Sequence, residues 1–467
     1  MTKTTCDLLI RNAQVVSMDA SRTIYCPGAV AVSGRRIVEV GADGIVSERV
    51  QASEVIDADG GIVHPGFIDA HNHIVHTSCR GVLKNVLDAN SPVRFADWKA
   101  DVTDEDEVAA TAMACLEMLR GGFTMFIEPG SLFSTSAAAR AVERVGIRAL
   151  FSPLYLWDTR APFDAIPALE SDSLMARASI DHERSVSALD QELHRNREPD
   201  ALVRGYIFVY GEGTGSPALL EAAKKCADDN QVPMHLHAGY VPMGADIYRS
   251  MTGSSQIVDL MELGVLDRNT VLVHANALSE ADEQAVRDSG CQIVWCPAAF
   301  LSLGISDASF QMAKRYRDGV SISLAADGAF DSPSSACMLA ARFVSQTYAD
   351  PLPPEALLEM QTINAAAAAG MDDEIGSIEV GKRADIVIRD SCAAEGYPDN
   401  NPVHSLALIM GQGSVRTVYV DGRRVLDEGR ATLVEEREVY RQVCDSVRVR
   451  ADRLSVDAGP AWPVVRD

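Results

Sequence analysis

Positive charge is in short supply in this chain. Only 42 Lys and Arg stand against 66 Asp and Glu, a formal net charge of −24 over 467 residues. A surface that negative repels phosphate backbones and anionic lipid, so neither nucleic acid nor a membrane surface is an expected partner. No apolar run reaches membrane-spanning length, and the opening Met1-Thr-Lys-Thr-Thr-Cys-Asp7 lacks the apolar core of a secretory signal. The ten cysteines never form Cys-x-x-Cys, and Cys291 and Cys296 stand too isolated for a zinc knuckle. Reduced, mostly buried thiols in a cytoplasmic protein are the expectation. What remains is an ordinary globular balance, 47% hydrophobic and 23% charged, with core enough for one large domain and a smaller one.

Three textures follow one another along the chain. Residues 7–60 alternate short apolar runs (Leu8-Leu9-Ile10, Ala29–Val32, Arg36–Val40) with Gly34, Gly41 and Gly60-Gly61, the pattern of a small sheet. From about 65 to 375, short runs alternate with helical patterns such as Thr103–Arg120. The runs are Thr124–Ile127, Ala149–Leu154, Val203–Tyr210, Val232–His237, Val271–His274, Gln292–Cys296 and Ile322–Ala326. Parallel β/α units in that number predict a (β/α)₈ TIM barrel, an α/β fold, rather than a doubly wound sheet. After 375 strand texture returns in Gly376–Val380, Ala384–Arg389, Val415–Asp421 and Arg423–Leu426. The expected division is therefore a composite β-sandwich domain from 1–63 and 376–432, a barrel over 64–375, and a helical tail over 433–467.

Barrel chemistry sits at the C-terminal ends of strands. The stretch His64-Pro-Gly-Phe-Ile-Asp-Ala-His-Asn-His73 supplies a turn, a buried strand, and then His71 and His73. Residues i and i+2 share a strand face, so the two imidazoles can converge on one ion. His235 and His237 end a later strand on one face, His274 ends another, and Asp327 follows the last. Each alone has a dull explanation, but in order at successive strand ends they form a candidate metal site.

This constellation resembles the amidohydrolase superfamily, in its single-metal branch of cytosine and guanine deaminases and triazine hydrolases. The resemblance spans nearly the whole chain. It includes Pro65-Gly-Phe-Ile-Asp-Ala-His-Asn-His73, the helix Ala114–Arg120 before Gly-Gly-Phe-Thr, and His274-Ala-Asn-Ala-Leu-Ser-Glu. Trp295-Cys-Pro-Ala, Ala326-Asp-Gly-Ala and Gly376-Ser-Ile-Glu-Val-Gly-Lys-Arg-Ala-Asp-Ile-Val continue it. It implies that His71, His73, His237 and Asp327 bind one divalent transition metal per chain, cobalt or zinc, with iron also suited. His274 would polarise the substrate or pass a proton. His237 is preferred to His235 because the family's ligand follows its partner histidine and precedes a key position by three residues.

That key position departs from the pattern. The family places a proton-shuttling glutamate there, and this chain has Tyr240. A phenol with a reference pKa of about 10 is a poor carboxylate substitute, although it can donate to an oxyanion. The usual Cys-Pro-x-Ser-Asn becomes Cys296-Pro-Ala-Ala-Phe-Leu301, and Ala329-Phe330-Asp331 follows Gly328. Phe300, Leu301 and Trp157 then predict an apolar pocket for a small neutral organic substrate. Within the branch the pattern looks most like phenylurea hydrolases and the cobalt-associated, thiocarbamate-cleaving molinate hydrolase. The expectation is a hydrolase cleaving a C–N or C–S bond at a urea, carbamate or thiocarbamate carbonyl, with Asp327, His274 and Tyr240 catalytic. The alternatives are an aminohydrolase or chlorohydrolase of a heteroaromatic ring, and a non-catalytic scaffold. The family also implies a homo-oligomer, dimer or tetramer.

Overall fold

The computed structural model describes residues 3–83, 95–160, 162, 171–240, 242–302, 311–328, 332–457 and 462–463. The stretch Ala329-Phe330-Asp331 lies outside the described residues.

Five strands precede the barrel: β1 (Thr4–Val16), β2 (Ile24–Ser33), β3 (Arg36–Ala42), β4 (Val50–Asp57) and β5 (Ile62–Pro65). The barrel strands are β6 (Phe67–Asp69), β7 (Phe123–Glu128), β8 (Arg148–Phe151), β9 (Val203–Gly205), β10 (Ile207–Gly211), β11 (Met234–Ala238), β12 (Thr270–His274), β13 (Gln292–Trp295) and β14 (Ile322–Leu324). All seven of the expected internal runs fall on these strands. β9 and β10 are two pieces of one strand interrupted at Tyr206, whose backbone N–H still donates to Phe151 O at 3.1 Å. Every pairing within the two barrel sheets is parallel. The first and last strands meet: Ala70 N donates to Leu324 O at 3.2 Å and Asp327 N to His71 O at 3.0 Å, which closes the barrel. Gln361 braces the same seam from below, its Nε2 donating to Ile68 O at 2.6 Å.

The barrel interior is filled by Ile68, Met125, Ile127, Leu150, Phe208, Val271, Val273 and Val294, all inward at alternate positions. Helix Ile363–Ala368 packs on this cluster through Ala365, Ala366 and Ala368, whose small side chains let its backbone approach the strands. Gly66, between β5 and β6, has no room for a side chain, because a Cβ there would collide with Thr124. Helix Asp104–Gly121 starts where the sequence signals it. Thr103 caps Asp106 N, Asp106 returns a bond to Thr103 N at 3.0 Å, and Gly122 (φ +84°) ends it.

The strands that flank the barrel in sequence join one hydrogen-bonded sheet. β15 (Ile386–Arg389) pairs antiparallel with β5, and β16 (Val415–Val420), β17 (Arg423–Asp427) and β18 (Arg430–Ala431) extend it outward. Gly376–Val380, expected as a strand, is instead irregular backbone. Of that stretch, Ile378 N donates to Ser17 O, and Gly376 takes φ +87°, which breaks any extended run. The charged tail forms the helix Glu436–Arg453 and is anchored to the barrel side. Arg450, 1% exposed, donates from Nη2 to Trp98 O at 2.6 Å, from Nε to Asp101 O at 2.7 Å and from Nη1 to Ser78 Oγ at 3.0 Å.

A buried ion network ties the barrel to the sheet. Arg148 on β8 reaches Asp385 with Nε at 2.7 Å and Nη2 at 3.1 Å, and Asp421 with Nη2 at 2.8 Å. Removing one member of such a network strands a charge away from water. Arg148→Met is expected to lower unfolding free energy by about 3–5 kcal/mol, read from urea denaturation; a loss under about 1 kcal/mol would show that the two units do not depend on it.

Candidate metal centre

The centre is built at the barrel seam. Asp69, the last residue of β6, is fully buried and accepts from Ala326 N at 3.1 Å, His71 N at 3.4 Å and Asn72 Nδ2 at 2.9 Å. With Asp327 N bonded to His71 O and His73 N bonded to Asp327 O at 3.0 Å, the ends of β6 and β14 are locked together. The His-x-His stretch and Asp327 are thereby brought face to face. Asp327 Oδ1 lies 3.7 Å from His71 Nε2 and 3.6 Å from His73 Nε2.

β11 contributes from the opposite wall. His237 Nδ1 sits 2.7 Å from Tyr210 O, so that nitrogen carries the proton, and the lone pair of Nε2 faces His71 Nε2 at 3.3 Å. The carbonyl comes close because Gly211 (φ +77°) follows it, and a Cβ there would collide with His237 O. His235 points to the same interior but one pleat deeper, roughly 6.6 Å along the strand. Its Nε2 bonds Ala368 O at 2.8 Å, on the helix that packs against the barrel floor. The choice that strand periodicity left open is thus resolved by depth, in favour of His237.

The donor atoms of His71, His73 and His237 lie within 4.8 Å of one another, and so do those of His71, His274 and Asp327. A tetrahedral zinc with bonds of about 2.0–2.1 Å to nitrogen separates its donors by about 3.3 Å, the spacing that His71 and His237 already have. Burial, reinforced by His237 for His71 and by His76 for His73, holds both imidazoles well below their ordinary pKa, and burial takes His237 down to about 4. All three are therefore neutral at pH 7, the form that ligates. Burial pushes the Asp327 carboxyl up to about 7, a cost that an adjacent cation would reverse. Three imidazoles and one carboxylate in a closed cleft fit a divalent transition ion such as zinc.

His274 and Tyr240 complete the wall. Their rings stack at 3.8 Å and 14°, and His274 in turn stacks on His237 at 5.3 Å. Tyr240 Oη is 3.4 Å from Asp327 Oδ2, and burial followed by the Asp327 charge holds its phenol protonated, so it is a donor. Tyr240 faces the cluster. His274 (φ +79°), Ala275 (φ +46°) and Asp327 (φ +59°) all occupy the left-handed region. Such conformations cost on the order of 1–3 kcal/mol each in non-glycine residues and persist where surrounding bonds impose them.

The expected apolar wall is smaller than the sequence suggests. Phe300 is buried on helix Pro297–Ser302, but Leu301 is 50% exposed, because neighbouring helical positions point about 100° apart. Trp157 is buried behind the cluster: its ring packs 5.1 Å from Tyr210, which packs 5.2 Å from His237. It supports a neighbour of the centre rather than lining it. His76 stacks on His73 at 4.8 Å. His64, for which the sequence offers no partner, accepts from Arg389 Nε at 3.1 Å.

Three charged residues near the centre escaped the sequence. Glu128, at the end of β7, accepts from Gly130 N at 2.8 Å and from Ser131, and burial raises its carboxyl to about 8. Glu212, just after β10, accepts from Tyr240 N at 2.9 Å, and burial raises it to about 7. Both stand at C-terminal strand ends, so the rule that found Asp327 also reaches them. The third, Lys99, sits on helix Phe95–Ala100 with no motif around it.

Fold and site together define a metal-dependent hydrolase acting on C–N bonds. The amidohydrolase family model matches residues 62–425, and the chain belongs to that family. A 5-methylthioadenosine/S-adenosylhomocysteine deaminase of Desulforamulus reducens is 27% identical over 459 residues, covering 96% of this chain and 99% of its own. A 5′-deoxyadenosine deaminase of Methanosarcina mazei is 26% identical and covers 93% and 96%. Among solved structures, a zinc-bound adenosine deaminase from Xanthomonas campestris superposes with a TM-score of 0.82 at 24% identity, covering 97% of this chain and 100% of its own. The zinc complex of atrazine chlorohydrolase TrzN from Arthrobacter aurescens gives 0.80 at 21%, covering 94% and 100%.

His237→Ala is expected to lower bound zinc from about one ion per chain to below about 0.1 after dialysis, whereas His235→Asn keeps it. Elemental analysis of both purified variants reads the difference. Metal loss from the His235 variant with retention in the other would reverse the assignment.

Proposed function

We propose that the protein is an aminohydrolase that removes an exocyclic amine from a heteroaromatic ring, with adenine nucleosides as the first class to test. The observation that carries this reading is the His71, His73, His237 and Asp327 cluster with His274 beside it. Its weight comes from curated relatives, named as deaminases of adenosine derivatives, that match the chain almost end to end. The ring amine replaces the urea or thiocarbamate carbonyl as the leading substrate, since the relatives' names point to rings.

The four proposed ligands would hold a zinc ion, which when bound supplies Lewis acidity to water and to the ring. Asp327 takes the proton of the attacking water and returns it to the exocyclic amine, which leaves as ammonia; its carboxyl lies 3.6 Å from His73 Nε2 and within reach of the Tyr240 hydroxyl. His274, held neutral by burial and by the neighbouring His237, offers a hydrogen bond to the ring atom that gains electron density. Tyr240 keeps its proton and fixes Asp327 by donating to it.

Tyr240 itself favours a second reading. A phenol stacked on His274 can donate to the oxyanion of a tetrahedral intermediate at a urea, carbamate or thiocarbamate carbonyl. That reading carries over the phenylurea and molinate hydrolase likeness of the sequence. A screen with zinc-loaded and cobalt-loaded protein separates the two: chelator-sensitive ammonia release from aminopurines supports the first, and amine or thiol release alone supports the second. His274→Ala is expected to keep its metal and lose about 10²–10⁴ in kcat/KM. Near-normal turnover in that variant would remove His274 from the chemistry.

A further inference from the structure

Helix Phe95–Ala100 turns Trp98 into the core and leaves Lys99 half-buried near the cluster. The Lys99 ammonium lies over two aromatic faces, 4.6 Å from the Tyr155 ring centre and 5.2 Å from that of Phe95. From Tyr155 the ring contacts run through Tyr210 to His237, at 5.8 Å and 5.2 Å. From Phe95 they run through His76 to His73, at 4.9 Å and 4.8 Å. Lys99 is thus two rings away from each of two proposed ligands, on the side of the centre between them. Its charge reaches them: it helps depress the imidazoles of His73 and His237 and the carboxyl of Asp327.

Among the described residues this ammonium has no carboxylate and no hydrogen-bond acceptor, only the two ring faces. The nearby acids are committed elsewhere. Glu128 is held by Gly130 and Ser131, Glu212 by Tyr240 N, and Asp327 by Tyr240 and the histidine cluster. Burial takes the amine down to about 8, which leaves it mostly charged at pH 7. The mount is rigid, since Arg450 holds the helix by Trp98 O and Asp101 O and lies 4.2 Å over the Trp98 ring. An ammonium held half-buried on two ring faces, with no acceptor among the described residues, is a site for an anion, because a charge-assisted hydrogen bond strengthens as solvent is excluded.

We propose that Lys99 is a specificity-determining residue that pairs with a carboxylate on the substrate, so that the preferred substrate is an anionic or zwitterionic ring amine. The inference rests on the aminohydrolase reading for the ring and on Lys99 alone for the charge. It replaces the neutral substrate expected from the apolar residues around Phe300. A chain of net charge −24 repels anions at long range, and a local cation near the cluster offsets that repulsion for a carboxylate.

The test compares zinc-loaded wild type with Lys99→Met and Lys99→Arg on two adenine thioethers, S-adenosylhomocysteine, which bears a carboxylate, and 5′-methylthioadenosine, which does not. The Met variant is expected to lose about tenfold or more in kcat/KM on the first, mainly through KM, and less than about threefold on the second, with Arg restoring most of the loss. Equal losses on both would overturn the proposal. Calorimetric binding of benzoate against benzamide gives a readout independent of turnover. Wild type is expected to prefer benzoate, and Lys99→Met to lose that preference about tenfold. Benzoate held equally by both proteins would place the carboxylate on the metal and overturn the role of Lys99. If neither thioether is deaminated, adenine thioethers fall as the substrate class of the aminohydrolase reading while the benzoate comparison still decides the charge.

Discussion

The buried carboxylate of Asp69 is the constraint on which the site depends. It belongs to the first barrel strand yet bonds the backbone N–H of Ala326 beyond the last, so it stitches the seam where the barrel closes. The same group orients the backbone of His71 and the side chain of Asn72. Two histidines and one aspartate, more than 250 positions apart in sequence, acquire a common geometry from it. Closing the barrel and assembling the centre are one event, because the hydrogen bonds that do the first also do the second.

Around that seam the protein works by exclusion of water. Burial keeps the imidazoles neutral and raises the Asp327 carboxyl to about 7, so the cluster presents lone pairs facing inward. Left-handed backbone at His274 and Asp327 is tolerated because ladder bonds on both sides hold it. The column of rings from Tyr240 through His274 to His237 fixes the remaining wall. Little in this arrangement is free to relax when a cation enters, which is the condition for preorganised chemistry.

Much of this was legible in the sequence. Parallel strands announce themselves by short apolar runs, and a residue at a strand end keeps its meaning whatever the helices do, so His71, His73, His274 and Asp327 could be named in advance. Between His235 and His237 strand periodicity gives the face and not the depth, and the preference for His237 comes from the family's spacing alone. Lys99 was invisible for another reason. It reaches the centre from a loop-borne helix whose path depends on what packs beneath it, and no spacing in the chain encodes that. Leu301 and Gly376–Val380 failed where local pattern met a single geometric fact, the turn of a helix in one case and a left-handed glycine in the other.

The Arg450 anchor has a consequence for how the protein comes into being. The helix bearing Lys99 is pinned at Trp98 O by a guanidinium 352 residues further along the chain. The flanking sheet likewise pairs β5 with β15 only after the whole barrel has emerged. During synthesis the four proposed ligands are all present once Asp327 is made, but the Arg450 anchor of the Lys99 helix is not. The residues of the cluster are therefore all made before the contacts that fix the helix beside them, and that helix is the last part of the neighbourhood to be anchored.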